Sequence, residues 1–472
     1  MSSVKSSFLW NASFQLLRIA IPLVLTPYLT RTLGAESLGV YSYTYSVAYY
    51  FSLLCILGLN QYGNREIAKV KADFELRSKV FSSIYAMQLF TVAVVLFLYL
   101  IFTVVSDGSL QGLYCIWGLW IVGEAFDLNW LFFGLEEFRL TVIRNFITRI
   151  TTVILIFMFV NSSNDLWLYC LLQALYFFTS YIVLIPFVLR YVKWIRPTKQ
   201  DIVSHIKPNL MLFAPIVAIS AYTQFGKVLL GNFADMRQVA YFDNSEKIAQ
   251  IPLAVIQALG TAMLPRMTNL IAVGEVGRGR EYLNESFWLA TIMACAFSFG
   301  IVAVTPEFVA IFFGPGFEPC EGVIRIIAWM IPPVSWSNVM GVQFLLPSGR
   351  DSDYTLSVLA GAVVSIIASL FLIGHYGAVG AAIATVLAEV TVTVTQAVLC
   401  VKDLPLLQHL MESIPYVIIG MIMFLLVRMS TLLLPLSWAG LTAEVAIGAV
   451  VYSCLSATYM FVTHEKRLFR LL

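Results

Sequence analysis

Arg190-Tyr-Val-Lys-Trp-Ile-Arg-Pro-Thr-Lys-Gln-Asp-Ile-Val-Ser-His-Ile-Lys-Pro-Asn209 is a polar, basic stretch in the middle of a chain that is otherwise a succession of apolar runs. Its two prolines interrupt helix, and its Lys and Arg keep it out of hydrocarbon. On both sides lie runs of about 20 apolar residues, each long enough to cross a hydrocarbon core of about 30 Å. Six spans precede it, near 8–30, 38–59, 81–105, 113–133, 146–160 and 166–189. Six follow, near 210–230, 239–264, 286–311, 321–346, 353–373 and 378–401, and a last pair lies near 413–434 and 439–462. The expected fold is all-α: a polytopic membrane protein of about 14 transmembrane helices, in two six-helix lobes with pseudo-two-fold symmetry plus a C-terminal helix pair. The expected divisions are an N-lobe over 1–190, a cytoplasmic linker over 191–209, a C-lobe over 210–402, and the helix pair with its tail over 403–472.

Composition agrees. Of 472 residues, 60% are hydrophobic and 12% charged, about half the charged share usual for a soluble domain. The net charge of +2 matters less than its placement. With a cytoplasmic N-terminus, inside segments hold roughly 21 of the 29 Lys and Arg, whereas the outside loops hold Arg31 and Arg237. That asymmetry puts both termini in the cytoplasm, with the first span as a signal anchor in place of a cleaved leader. A weak echo at a displacement of about 200 residues supports a duplicated six-span unit. Gly39-Val-Tyr41 parallels Val239-Ala-Tyr241, and Leu57-Gly58 before Arg65 parallels Leu259-Gly260 before Arg266.

Catalytic parts are not evident. Outside loops such as 106–112, 161–165 and 313–319 leave no room for a folded domain. No Walker-type, G-x-S-x-G or H-E-x-x-H pattern occurs, and the seven Cys and four His have no metal-ligand spacing. Neither a cofactor nor a nucleic-acid partner is expected. What remains is a set of ionisable residues inside spans, where an unpaired charge is costly and tends to face a cavity or a partner.

Arg18 sits too deep in span 1 for easy snorkelling. With Lys227, Lys247 and Arg325 it could line a central cavity and hold an anionic headgroup such as a pyrophosphate. The plainer alternatives are snorkelling for Lys227 and an i,i+4 ion pair with Asp243 for Lys247. Glu124 and Asp127 lie three apart in span 4, Glu389 lies mid-way in span 12, and Asp243 and Glu246 flank Lys247. These carboxylates are candidates for coupling to a proton or sodium gradient, or else are neutral, structurally paired acids. Arg149, Arg428, Glu307, Glu321 and Glu444 read as end-of-span anchors or inter-helix pairs, and Pro22, Pro215, Pro252 and Pro332-Pro333 as bends.

Several stretches form a set: Pro27-Tyr-Leu-Thr-Arg-Thr-Leu-Gly34, Gly58-Leu-Asn-Gln-Tyr-Gly-Asn-Arg-Glu66, Asn129-Trp-Leu-Phe-Phe-Gly-Leu-Glu136, Tyr241-Phe-Asp-Asn-Ser-Glu-Lys-Ile248, Leu264-Pro-Arg266 and Gly377-Ala-Val-Gly-Ala-Ala382. In order and spacing they resemble the polysaccharide flippases of the multidrug/oligosaccharidyl-lipid/polysaccharide exporter superfamily. The resemblance implies a V-shaped pair of six-helix bundles that turns undecaprenyl-diphosphate-linked oligosaccharide repeat units across the bacterial inner membrane by alternating access. It also implies membrane lipids, a polysaccharide polymerase and assembly proteins as partners, and a monomeric transport unit. Two departures separate the chain from neighbouring branches. Span 2 has no Lys or Arg, unlike the arginine-rich early spans of lipid II flippases, and no acid precedes Glu36, unlike multidrug transporters. A multidrug or cation antiporter is the alternative, kept open by Glu124 and Asp127, and a membrane-embedded glycosyl transferase or polymerase is a third reading.

Overall fold

A computed structural model describes residues 20–106, 108–273 and 275–463. They are helical almost throughout, and the described residues contain no strand. In chain order the helices are α1 (20–32), α2 (Gly34–Ile56), α3 (Leu59–Lys69), α4 (Phe74–Val105), α5 (Gly108–Gly123), α6 (Asn129–Gly134), α7 (Phe138–Phe159), α8 (Leu166–Ile182), α9 (Ile185–Val188) and α10 (Lys199–Thr223). After these come α11 (Phe225–Phe233), α12 (Met236–Ala272), α13 (Val276–Phe308), α14 (Cys320–Ile327), α15 (Ile331–Ser337), α16 (Asp351–Cys400), α17 (Leu406–Ser430) and α18 (Trp438–Val462).

Among the described residues, 11 helical stretches are long and apolar enough to cross a membrane. The 14 expected spans reduce to these for three local reasons. Span 1 starts outside the described residues. Span 4 is broken after Gly123. Spans 11 and 12 are two helices joined directly at a non-helical kink at Gly377, and they count here as the one stretch α16.

That bend needs glycine. Gly377 has φ +53°, and a Cβ there would lie 2.6 Å from the Gln238 side-chain oxygen, which accepts the Ala378 N–H at 2.9 Å. Gln238, three residues before the Tyr241–Ile248 stretch, thus supplies the acceptor next to the bend in the Gly377–Ala382 stretch. Two of the quoted stretches meet at the crossing of α3 and α6. A Cβ on Gly63 would lie 2.7 Å from the Trp130 ring, and one on Gly134 would lie 2.8 Å from the Asn64 carbonyl oxygen. Small residues here let two backbones close up, a substitute for the hydrophobic drive that lipid removes.

The chain divides into two compact units, 1–220 and 221–472. In the first, α5 packs on α8 and α2, and α2 on α4, around a core that includes Trp117, Trp130 and Phe132. In the second, α13 packs on α17 and α18, and α12 on α13, α14 and α16. Arg428 of α17 binds Glu307 of α13 at 2.8 Å, an inter-helix pair of the expected kind.

Three local details differ from the sequence reading. The basic stretch is not a free tether, since its second half opens α10 and the unit boundary falls at Ser220. α7 starts at Phe138, eight residues before the expected span, because Phe138-Arg-Leu-Thr-Val-Ile continues the helix without a breaker. The echo of Leu57-Gly58 in Leu259-Gly260 does not extend to local conformation. Leu57 has φ +53° and ends α2, whereas Gly260 lies inside α12.

Candidate functional site

In the first unit, span 4 breaks where its carboxylates lie. After Gly123 the chain makes a single 3₁₀ turn, Glu124–Phe126, before α6 begins at Asn129. The break frees backbone carbonyls inside the unit, and Gln88 of α4 satisfies them: its Nε2 donates to the carbonyl oxygens of Glu124 at 2.8 Å and Asp127 at 2.9 Å. Trp130 Nε1 in turn donates to Gln88 Oε1 at 3.0 Å. Asp127 Oδ1 accepts the Asn129 N–H at 3.0 Å and opens α6.

Both carboxylates are buried. Glu124 Oε1 accepts from Ser52 Oγ of α2 at 2.5 Å and from Tyr181 OH of α8 at 3.4 Å. Its Oε2 faces the Trp120 indole without closing a hydrogen bond among the described residues. Arg144 of α7, also buried, donates from Nη2 to Asn129 Oδ1 at 3.1 Å and Asn145 Oδ1 at 2.7 Å. Its Nε and Nη1 have no partner among the described residues, and Asp127 is the nearest acid that acts on it. A carboxylate with an open oxygen thus shares an aromatic-walled interior with a guanidinium that has open N–H groups. The wall stacks Tyr45 on Trp120 at 5.3 Å and Trp120 on Phe177 at 4.2 Å.

In the second unit, α11 is a short helix that follows a break at Gln224, and it brings Lys227 against α12. Asp243 and Glu246 are one turn apart on α12 and hold the Lys227 ammonium at 2.6 and 3.0 Å. Lys247 reaches back one turn to Asp243 at 2.6 Å. Two cations and two carboxylates make a neutral cluster, which lowers the cost of burying any of them. Lys227 is 7% exposed and Lys247 40%, so the cluster opens on the Lys247 side.

The candidate residues are therefore distributed unevenly. Lys227, Lys247, Asp243 and Glu246 come together, and Glu124 joins Asp127. Glu389 of α16 lies close enough to Glu246 for their charges to interact, without an ion pair. Arg325 binds Glu321 at 2.6 Å on the half-exposed face of α14, apart from the lysines. Lys227 does not snorkel, and for Lys247 the i,i+4 pair is the arrangement present. Arg18 lies outside the described residues. Sequence reasoning missed Arg144, assigned to a loop by the late start given to its helix, and it missed Gln88 and Ser52, whose uncharged side chains give no signal inside an apolar span.

Apolar helices in two units, each burying charged side chains in its interior, define a polytopic membrane protein. Residues 4–271, more than half the chain, match the model of the polysaccharide biosynthesis protein family, and the protein belongs to that family. A putative O-antigen transporter of Shigella dysenteriae is 26% identical over 377 residues, covering 79% of this chain and 93% of that one. One of Escherichia coli K12 is 22% identical over 395 residues, covering 83% and 95%. Among solved structures, the lipid II flippase MurJ in an inward closed conformation superposes with a TM-score of 0.79 at 13% identity, covering 97% of this chain and all of that one. A multidrug resistance MATE family transporter in an inward-facing conformation gives 0.60 at 14% identity, covering 82% and 99%. At these identities the structural likenesses establish the fold.

Proposed function

We propose that this protein is a flippase that turns undecaprenyl-diphosphate-linked oligosaccharide repeat units from the cytoplasmic to the outer leaflet for surface polysaccharide synthesis. The observation that carries the reading is likeness to O-antigen transporters along 93% and 95% of their length, in a chain belonging to the polysaccharide biosynthesis family. A headgroup-sized cargo suits such a chain, because the lipid tail stays in hydrocarbon and only the polar end needs a protein path. The placement of Lys and Arg supports a multi-pass protein of the bacterial cytoplasmic membrane with both termini inside. Alternating access by a monomeric unit, with polymerase and assembly proteins as downstream partners, completes the reading; it assigns transport and no catalytic role.

In this reading Arg18, Lys227 and Lys247 serve the diphosphate, with Arg325 at the margin, and Glu124, Asp127, Asp243, Glu246 and Glu389 are the candidates for proton or sodium coupling. The pairing in the second unit ties the two roles together. Lys227 and Lys247 already carry carboxylate partners, so a diphosphate gains them only as Asp243 and Glu246 lose their charge or turn away. Anion binding and proton uptake then occur as one exchange. The carboxylates Glu124 and Asp127 also suit the cation-antiporter alternative, which predicts drug export from cells.

The test is reconstitution in vesicles loaded with the lipid-linked intermediate that accumulates when the protein is depleted. Glycan reaching the opposite leaflet at a rate set by the protein supports the reading; a rate equal to that of protein-free vesicles rejects it. For the headgroup assignment, Arg18→Ala at normal protein level abolishes export and Arg18→Lys keeps part of it. Normal export by Arg18→Ala overturns the role of Arg18.

A further inference from the structure

The non-helical half of the basic stretch is pinned to the first unit. Between α9 and α10 the chain runs without helix over 192–198. The Lys193 N–H donates to Ser78 Oγ at 3.1 Å and the Ile195 N–H to Ser82 Oγ at 2.9 Å, two hydroxyls one turn apart on α4. Arg77 Nε holds the Tyr191 carbonyl oxygen at 2.9 Å. These bonds make the segment a strap fixed along the start of α4.

Along this strap a basic residue recurs at every third position: Arg190, Lys193, Arg196 and Lys199, all exposed. Of the four, Lys193 and Arg196 lie in the non-helical run itself, Arg190 in the turn after α9 and Lys199 at the start of α10. Lys193 contacts Glu75, and Arg190 lies over the Phe187 ring at 5.3 Å. Arg196 and Lys199 have no acidic partner among the described residues. Asp201, the acid of the stretch, is turned to Thr198, accepting from its N–H at 3.0 Å and its hydroxyl at 2.7 Å. Two exposed apolar groups accompany the cations, Leu189 just before Arg190 at 79% exposure and Trp194 between Lys193 and Arg196 at 54%.

We propose that the 190–199 strap is a docking row for anionic phospholipid headgroups of the leaflet at its own end of the unit. The mixture of groups identifies the occupant. Exposed cations with an indole among them and a leucine beside them match the interface, where phosphates lie beside the first methylenes and tryptophan partitions. A lipid leaflet presents many phosphates at one depth, so that several of these exposed cations can be engaged together. Fixing the backbone beforehand lowers the ordering cost of that engagement. The proposal is independent of what the protein transports.

The full-length protein in neutral detergent is titrated with phosphatidylglycerol or phosphatidylcholine, and bound lipid is counted by native mass spectrometry. Phosphatidylglycerol is expected to bind more tightly, and raising NaCl to 0.5 M to remove most of the preference. Combining Arg190→Gln, Arg196→Gln and Lys199→Gln should weaken phosphatidylglycerol binding about 100-fold at low salt and leave phosphatidylcholine unchanged. Arg278→Gln with Arg280→Gln, in the first turns of α13, should change neither. A variant with Arg190→Lys and Arg196→Lys should retain binding, which separates charge from folding. Equal affinity of the wild type for the two lipids overturns the proposal without any variant. So does displacement of phosphatidylglycerol by inorganic pyrophosphate, or an unchanged affinity in the triple variant.

Discussion

Lys227 illustrates how far a side chain's meaning depends on its partners. Held by Asp243 and Glu246 and almost fully buried, it belongs to a neutral set, and without it two buried carboxylates are left with Lys247 alone. Lys227→Met should destabilise the protein by about 3–5 kcal/mol, seen as a lowered melting temperature in detergent. Adding Asp243→Asn should recover much of the loss; no recovery would mean the cluster is not coupled as drawn. Glu124→Gln keeps an acceptor for Ser52 Oγ, so the melting temperature should move little. If Glu124 carries the coupling proton, transport by this variant falls at least tenfold; unchanged transport assigns Glu124 to structure alone. The sequence marked Lys227, Asp243, Glu246 and Glu124 because charges inside apolar runs are visible by type. It did not show who binds whom. Lys227 and Asp243 are 16 residues apart on either side of a helix break, and Arg144 was hidden by one misplaced helix start.

Elements were legible where their signal is repeated along the chain. Apolar runs fixed most spans to within a few residues, and the gap before Gly377 marked a real break. The length of that break was not legible, since one glycine with positive φ does the work of a loop and turns one helix directly into the next. Gly377→Ala forces a Cβ against Gln238 in an unfavourable conformation, at about 1–3 kcal/mol. The loss should appear as a lower melting temperature, and Gln238→Ala added to it should relieve the clash but not the backbone strain. Gly134→Ala, at the α3–α6 crossing, should cost about 1–3 kcal/mol by pushing apart two backbones held by the Trp130 contact. A melting temperature equal to wild type would show that the crossing has slack. The quoted stretches were recognisable as a set in sequence, but only coordinates show that Gly58–Glu66 and Asn129–Glu136 form one crossing.

At the scale of the molecule, the sequence predicted an all-helical membrane chain in two parts, and the described residues form two compact helical units. Pro208, the second proline of the basic stretch, lies inside α10, as does Pro215 further along the same helix. Each unit has its own buried charged set, so selective damage is expected: disabling Lys227 or Glu124 should stop transport while the other unit's packing persists, seen as protease-resistant fragments of normal size. The claim on which the rest depends is translocation of a lipid-linked glycan. Its most direct measurement is the leaflet distribution of lipid-linked repeat units in cells depleted of this protein, read by accessibility to an added impermeant glycan-labelling reagent. The account predicts repeat units shielded inside, surface polysaccharide lost, and both restored by the wild-type chain but not by Lys227→Met. Repeat units labelled from outside at the normal level, with normal surface polysaccharide, would contradict it.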